Sequence, residues 1–253
     1  MNINSGICHI RGLFKMYILE AKNLTFKYDN HNYILDNLSF NIQKNELISI
    51  VGGSGCGKST IIKILAGIEK DFNGIVQLKS TSYMPQSDTL LPWRTILENI
   101  LLPIEIKKGD KKKESEKAKS LLKRFNLLEY SNNYPKELSG GMKQRISLIR
   151  TIMSDSDLLL LDEPFSALDA ITREDLQNWL LNTVSILNKS MIFITHDIDE
   201  AIFLSHRIFV CQKKPLSKFK EFFVPKNITL EEKLKLRKEI LSIIKGDDFY
   251  EKN

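Results

Sequence analysis

A brief apolar run, a glycine-rich turn and a helical pattern follow one another at residues 47–66, and the turn reads GGSGCGKS at residues 52–59. The turn fits the phosphate-loop template G-x-x-x-x-G-K-[ST] in full. A bound triphosphate concentrates several negative charges in one place. Gly52, Gly53, Gly55 and Gly57 let backbone N–H groups turn inward toward such an anion without Cβ clashes, and Ser54 and Cys56 complete the cradle. A helix starting at Lys58 points its positive end at the same spot. Lys58 brings a full charge to the phosphates, Ser59 offers a hydroxyl to Mg²⁺, and Thr60 continues the first turn. A plain glycine turn before a helix would not require Gly57, Lys58, Ser59 and Thr60 together behind a strand.

The rest of the chain alternates strand and helix patterns. Leu38, Phe40 and Ile42 alternate with polar residues, as a half-buried strand does. Residues 58–66 predict a helix stopped by Gly67, and residues 74–84 predict one further β region. Residues 95–134 change to a helical texture, with Ala118, Leu121, Leu122 and Phe125 at helix spacing and lysines opposite. Helices are expected over 139–153, 172–187 and 230–244, and strands over 158–161, 191–195 and 207–211. Such alternation implies an α/β fold with a parallel sheet covered on both faces. No internal repeat is present.

Four leucines at 158–161 precede Asp162 and Glu163, which places the acids at the carboxyl end of a buried strand, where open α/β sheets bind ligands. Ahead of that strand stands LSGGMKQR at residues 138–145. Its Ser139, Gly140 and Gly141 open a helix and create a second anion-attracting N-terminus. Phosphate loop, then LSGGxxQR, then hhhhDE, in that order, resembles the ATP-binding cassette (ABC) ATPases over nearly the whole stretch from Met16 to Cys211.

The resemblance implies a phosphate-loop NTPase core with a mostly parallel sheet, an N-terminal antiparallel β subdomain and an inserted helical subdomain near residues 90–155. It implies a single domain over 16–253, a short tail over about 212–253, and a disordered leader or over-extended start at 1–15. ATP and Mg²⁺ are the implied ligands. Asp162 is expected to hold Mg²⁺ and Glu163 to act as general base. Gln86, in YMPQ, is expected to reach Mg²⁺ and the attacking water. His196, in THD, is expected to contact the γ-phosphate. In the family the phosphate loop and the LSGG segment belong to opposite subunits of a head-to-tail homodimer. Ser139, Gly140, Gly141 and Gln144 would then serve a partner's nucleotide, and Asp169, in SALD, would communicate across the interface. Tyr28 is the expected adenine-stacking aromatic, with Tyr33 and Phe26 as alternatives. Gly53 replaces a proline common in the loop, and Ile149 stands where a small residue is usual.

A single cassette resembles an importer subunit. Residues 87–100, SDTLLPWRTILENI, are similar to the nitrate, sulfonate and taurine importers, where LLPW-x-T-x-x-x-N recurs. Leu91, Trp93 and Arg94 could equally be ordinary residues of the helical lobe. The resemblance implies integral membrane permease subunits and, indirectly, an extracytoplasmic solute-binding protein as partners. It implies a peripheral position on the cytoplasmic face of the cell membrane. No apolar run approaches the roughly 18 residues of a spanning helix. The net charge of +6 leaves a second reading open, a soluble ABC ATPase acting on nucleic acid or ribosomes. The basic residues are dispersed, and the densest run, 107–113, reads as a solvated loop, so no nucleic acid partner is expected. Cys8, Cys56 and Cys211 have spacings that fit neither a disulfide frame nor a metal site.

Overall fold

The structure is a computed structural model, and it describes residues 17–28 and 32–246. The expected leader at 1–15 and Cys8 lie outside the described residues. In chain order the elements are β1 (Tyr17–Phe26), β2 (Leu35–Gln43), β3 (Leu47–Gly52), α1 (Lys58–Leu65), β4 (Asn73–Leu78), β5 (Thr81–Met84), α2 (Ile96–Ile106), α3 (Lys111–Arg124) and α4 (Gly140–Met153). They continue with β6 (Leu158–Asp162), α5 (Ala170–Ile186), β7 (Ser190–Ile194), α6 (Ile198–Leu204), β8 (Arg207–Cys211), β9 (Lys220–Phe223) and α7 (Leu230–Lys245).

The main sheet runs β5-β6-β7-β3-β8-β9, parallel except for β9. Its strands β6, β7 and β8 are buried along their full length, because both faces are covered. Period-two alternation sorts the residues of one strand into two cores. Leu158 and Leu160 face α1 and the antiparallel sheet. Leu159 and Leu161 face the helices α2 to α5. Each such fully buried aliphatic side chain is worth about 1.5–3 kcal/mol. A third cluster, centred on Ile202 and Ile240, packs α6 and α7 against β8.

The smaller sheet, β2-β1-β4, is antiparallel. The expected single β region at 74–84 is two strands serving different sheets. Asn73–Leu78 pairs with β1, whereas Thr81–Met84 pairs with β6. Gly74 makes the first pairing possible: its φ is +115°, and a Cβ there would lie 2.6 Å from the carbonyls of Lys22 and Asn23. Strand β9 was not expected; its four mostly exposed residues carry no alternating apolar signal. Ile149 is fully buried in the core between α4 and the sheet.

The four strands that lead into Gln86, Asp162–Glu163, His196 and the phosphate loop end at the same edge of the main sheet, whereas Tyr28 follows β1 of the smaller sheet. Strands β5, β6, β7 and β3 are neighbours in that order, so Gln86, Asp162–Glu163, His196 and the phosphate loop emerge side by side. Among the described residues no helix is long and apolar enough to cross a membrane.

Candidate functional site

Strand β3 is held between β7 and β8 and delivers Gly52 at its end. Gly52 has φ +154°, and a Cβ would sit 2.8 Å from both the Cβ and the carbonyl oxygen of Cys211. Only glycine lets the chain leave the sheet here. A Cβ at Gly53, in contrast, would meet nothing within 4 Å, so this position has room for a side chain. Helix α1 has no acidic residue in its first turn, which leaves its positive end uncompensated. Lys58 curls back over the loop: its Nζ donates to the carbonyls of Gly52 at 2.9 Å and Gly53 at 2.8 Å. The ammonium is thereby fixed inside the cradle where a phosphate charge would meet it. Thr60 is buried under the loop.

Ser59 and Asp162 come together from 103 residues apart, the Ser59 hydroxyl donating to Asp162 Oδ1 at 3.4 Å. Asp162 is buried, and that burial pushes its carboxyl above the usual range, against the lowering effect of the Ser59 hydroxyl. Both atoms are hard oxygen donors of the kind Mg²⁺ accepts. Among the described residues no group of three or more His, Cys, Asp or Glu could hold a metal ion. An ion on Ser59 and Asp162 would therefore need phosphate oxygens and water for its remaining ligands, which is how Mg²⁺ is usually held beside a nucleotide.

Glu163 lies one residue beyond the strand with φ +50°, a left-handed backbone that costs a non-glycine residue about 1–2 kcal/mol. That conformation is held by its own N–H, which donates to the Ile194 carbonyl at 3.1 Å. Its carboxylate Oε2 accepts from Gln86 Nε2 at 3.0 Å and stands 3.8 Å from His196 Nδ1. Three residues from the ends of three strands thus meet at one carboxylate oxygen. The His196 side chain is 72% exposed.

The LSGG segment is built against the same loop. Ser139 caps α4, its Oγ accepting from Met142 N at 3.3 Å. Gly140 is open, whereas a Cβ on Gly141 would lie 3.2 Å from the Ala167 carbonyl and a Leu168 methyl. Gln144 is turned inward. Its Nε2 donates to the Glu163 carbonyl at 3.0 Å and to Ser166 Oγ at 3.2 Å, while its Oε1 accepts from Ala167 N at 3.0 Å. Gln144 was expected among the nucleotide contacts. Buried and engaged at both ends, its amide acts on the site through the 163–167 loop. Asp169 is exposed and caps α5 by accepting from Thr172 N at 3.0 Å.

Tyr28 is exposed just beyond β1, its hydroxyl donating to Glu69 Oε1 at 3.1 Å and its ring edge-on to Phe26 at 4.7 Å. Phe26 is buried in the antiparallel-sheet core, which removes it as a stacking platform. Tyr33 remains exposed, with the Lys27 ammonium 5.6 Å from its ring.

Residues 91–99 form one turn built around Asn99. Asn99 is fully buried, accepts from Leu91 N at 2.7 Å and donates to the carbonyls of Leu91, Arg94 and Thr95. Thr95 and Glu98 form a reciprocal capping box on α2, an arrangement worth about 1 kcal/mol. The turn so fixed presents Trp93 with 70% of its surface exposed.

Residues 35–166 match the family described as ABC transporter. The chain belongs to the ABC transporter family. Two curated relatives match over most of this chain and of their own length. The formylaminopyrimidine import ATP-binding protein ThiZ of Halalkalibacterium halodurans is 38% identical over 83% of this chain and 86% of its own. The aliphatic sulfonates import ATP-binding protein SsuB of Bacillus anthracis is 38% identical over 88% and 93%. A solved dimeric ATP-binding cassette in a post-hydrolysis state, bound to ADP and Pi, aligns with a TM-score of 0.73 at 28% identity, covering 82% of this chain and 99% of that one.

Cys56 gives this ABC cassette an internal reporter. Its thiol is held below the ordinary thiol range, first by the Cys211 side chain and also by Lys58, whose Nζ lies 3.7 Å from the sulfur; burial opposes both. Alkylation by iodoacetamide, followed by peptide mass spectrometry, should show a pH midpoint for Cys56 below the ordinary thiol value and slow when nucleotide covers the loop. A midpoint at the ordinary thiol value of about 8.5 would contradict the arrangement.

Proposed function

We propose that this chain is the ATP-hydrolysing motor subunit of an ABC importer, working as a head-to-tail homodimer beneath a separate permease on the cytoplasmic membrane face. The convergence of Gln86 and His196 on Glu163, beside the Ser59–Asp162 pair, carries this reading. The Lys58 ammonium and the loop N–H groups hold the β and γ phosphates. Mg²⁺, when bound, neutralises charge on the transferred phosphoryl group. Glu163 Oε2 accepts the proton of the attacking water, Gln86 orients that water, and the exposed imidazole of His196 reaches the γ-phosphate. The exposed start of α4, from Ser139 to Gly141, serves the nucleotide of the other copy.

The relatives' names support an importer, and the sulfonate proteins support a small anionic or sulfonate-like solute as cargo. The permease and the extracytoplasmic binding protein would choose that cargo. A shallow cavity of about 300 Å³ beside Trp93, Arg94, Leu101 and Glu105 suits a short permease helix. Arg94 and Lys111 pair with Glu105 at 2.7 and 3.0 Å and stiffen its wall.

Glu163→Gln should bind ATP as the wild type does and hydrolyse it roughly 10²–10⁴-fold more slowly, accumulating as an ATP-bound dimer on size exclusion. Lys58→Ala should instead lose nucleotide affinity. Near wild-type turnover in Glu163→Gln would remove Glu163 from its role.

Trp93→Ala deletes an exposed side chain, so the isolated subunit should keep its stability to within about 0.5 kcal/mol and its ATP binding. Co-purification with the permease and solute uptake should both collapse, as expected for an aromatic anchor. Intact assembly and uptake would move the docking groove elsewhere.

A further inference from the structure

Glu200 is a buried carboxylate that the hydrolysis scheme above does not use. It lies on α6, directly behind the turn that carries His196. Its two oxygens have separate partners. Oε2 accepts the Thr195 hydroxyl, and Oε1 accepts from Gln177 Nε2 on α5 at 3.3 Å. Thr195 Oγ1 in turn accepts from Asp197 N at 3.0 Å. One hydroxyl therefore ties the residues on both sides of His196, and Glu200 fixes that hydroxyl.

The imidazole itself is barely held. It is largely exposed, and its nearest charged neighbour is Glu163 at 3.8 Å. The position of the ring is set by the backbone of the 195–197 turn, and the turn is set by its anchor. On the far side of the carboxylate stands Arg173. Its guanidinium donates to the Leu168 carbonyl at 2.9 Å, one residue before Asp169, and its backbone N–H donates to the Asp169 carbonyl at 2.9 Å. Glu163, Arg173, Thr195, His196 and Glu200 line one cavity of about 30 Å³.

Burying a carboxylate is expensive unless its lone pairs are filled. Burial pushes the Glu200 carboxyl above its ordinary range, opposed by the Thr195 hydrogen bond. Fold alone does not call for it. The seating of α6 is supplied by Ile198, Ala201, Ile202 and Leu204, and its N-cap by Asp197, whose Oδ1 accepts from Asp199 N and Glu200 N at 2.9 and 3.2 Å. A neutral side chain would fill the same space at lower cost.

We infer that Glu200 is a positioning residue for ATP hydrolysis, holding the His196 turn through Thr195 and tying it, through Gln177, to α5, the helix whose Arg173 binds the Leu168 carbonyl. The inference rests on the reading of Glu163 and His196 given above.

The test measures ATP hydrolysis at saturating Mg-ATP and ATP affinity on the purified full chain. The set is Glu200→Ala, Thr195→Val, Glu200→Gln and Ile202→Ala, beside wild type and Glu163→Gln. Hydrolysis by wild type and its loss in Glu163→Gln establish the underlying reading independently. Glu200→Ala and Thr195→Val should each lower kcat at least about 20-fold while leaving the ATP Kd within about threefold. Glu200→Gln keeps an acceptor for Thr195 and, with the Gln177 amide reversed, its second hydrogen bond, so its kcat should stay within about threefold of wild type. Ile202→Ala loosens the same helix from its apolar side, lowering stability without lowering kcat. Should Glu200→Ala fail to fold, Thr195→Val and Glu200→Gln decide. The inference is overturned by wild-type kcat in Thr195→Val, by a kcat loss in Glu200→Gln, or by an equal loss in Ile202→Ala.

Discussion

The amide of Gln144 is the knot on which the site depends. One side chain from the LSGG helix binds the carbonyl of Glu163 and the N–H of Ala167, so it grips both ends of the loop that leaves β6. That loop begins with a non-glycine residue in the left-handed region, a conformation that persists only where neighbours over-determine it. Gln144, Ser166 and the Ile194 carbonyl supply the determination. Gly141 permits it, because a side chain there would push α4 away from Ala167. The start of α4 and the Glu163 residue are thereby tied into one hydrogen-bonded unit. A displacement of one is felt by the other.

The parallel sheet supplies the complementary constraint. Four adjacent strands end at one edge, and each contributes a different chemical group: an amide, a pair of acids, an imidazole and a phosphate cradle. Alternation within each strand buries its other residues in the two flanking cores, so the groups at the strand ends are placed by packing rather than by loop flexibility. The result is a preorganised polar cluster whose members come from positions up to 144 residues apart in the chain, as with Gly52 and His196.

Much of this was legible in the sequence, for a physical reason. Anion binding demands glycines, a lysine and a hydroxyl at fixed spacing, and a buried parallel strand demands an unbroken apolar run before its terminal acids. Lys58, Asp162 and Glu163 were therefore readable one residue at a time. Gln144 was readable as part of a motif but its inward orientation was not, since nothing in LSGGMKQR says which side of α4 meets the 163–167 loop. Glu200, Gln177 and Arg173 were invisible for a related reason: buried polar networks assemble from separate elements and leave no periodic signature. The split of residues 74–84 between two sheets escaped notice because pairing partners, not local pattern, decide it. Asn99 was seen in its motif, yet its four hydrogen bonds to the Trp93 turn emerged only in three dimensions.

In the proposed dimer the LSGG segment of one copy completes the nucleotide site of the other. Ser139→Arg places bulk and positive charge at the exposed start of α4. Equilibrium ATP binding and steady-state hydrolysis would be measured on the same preparation. That dimer predicts ATP binding close to wild type with hydrolysis abolished. Full hydrolytic activity in Ser139→Arg would contradict it.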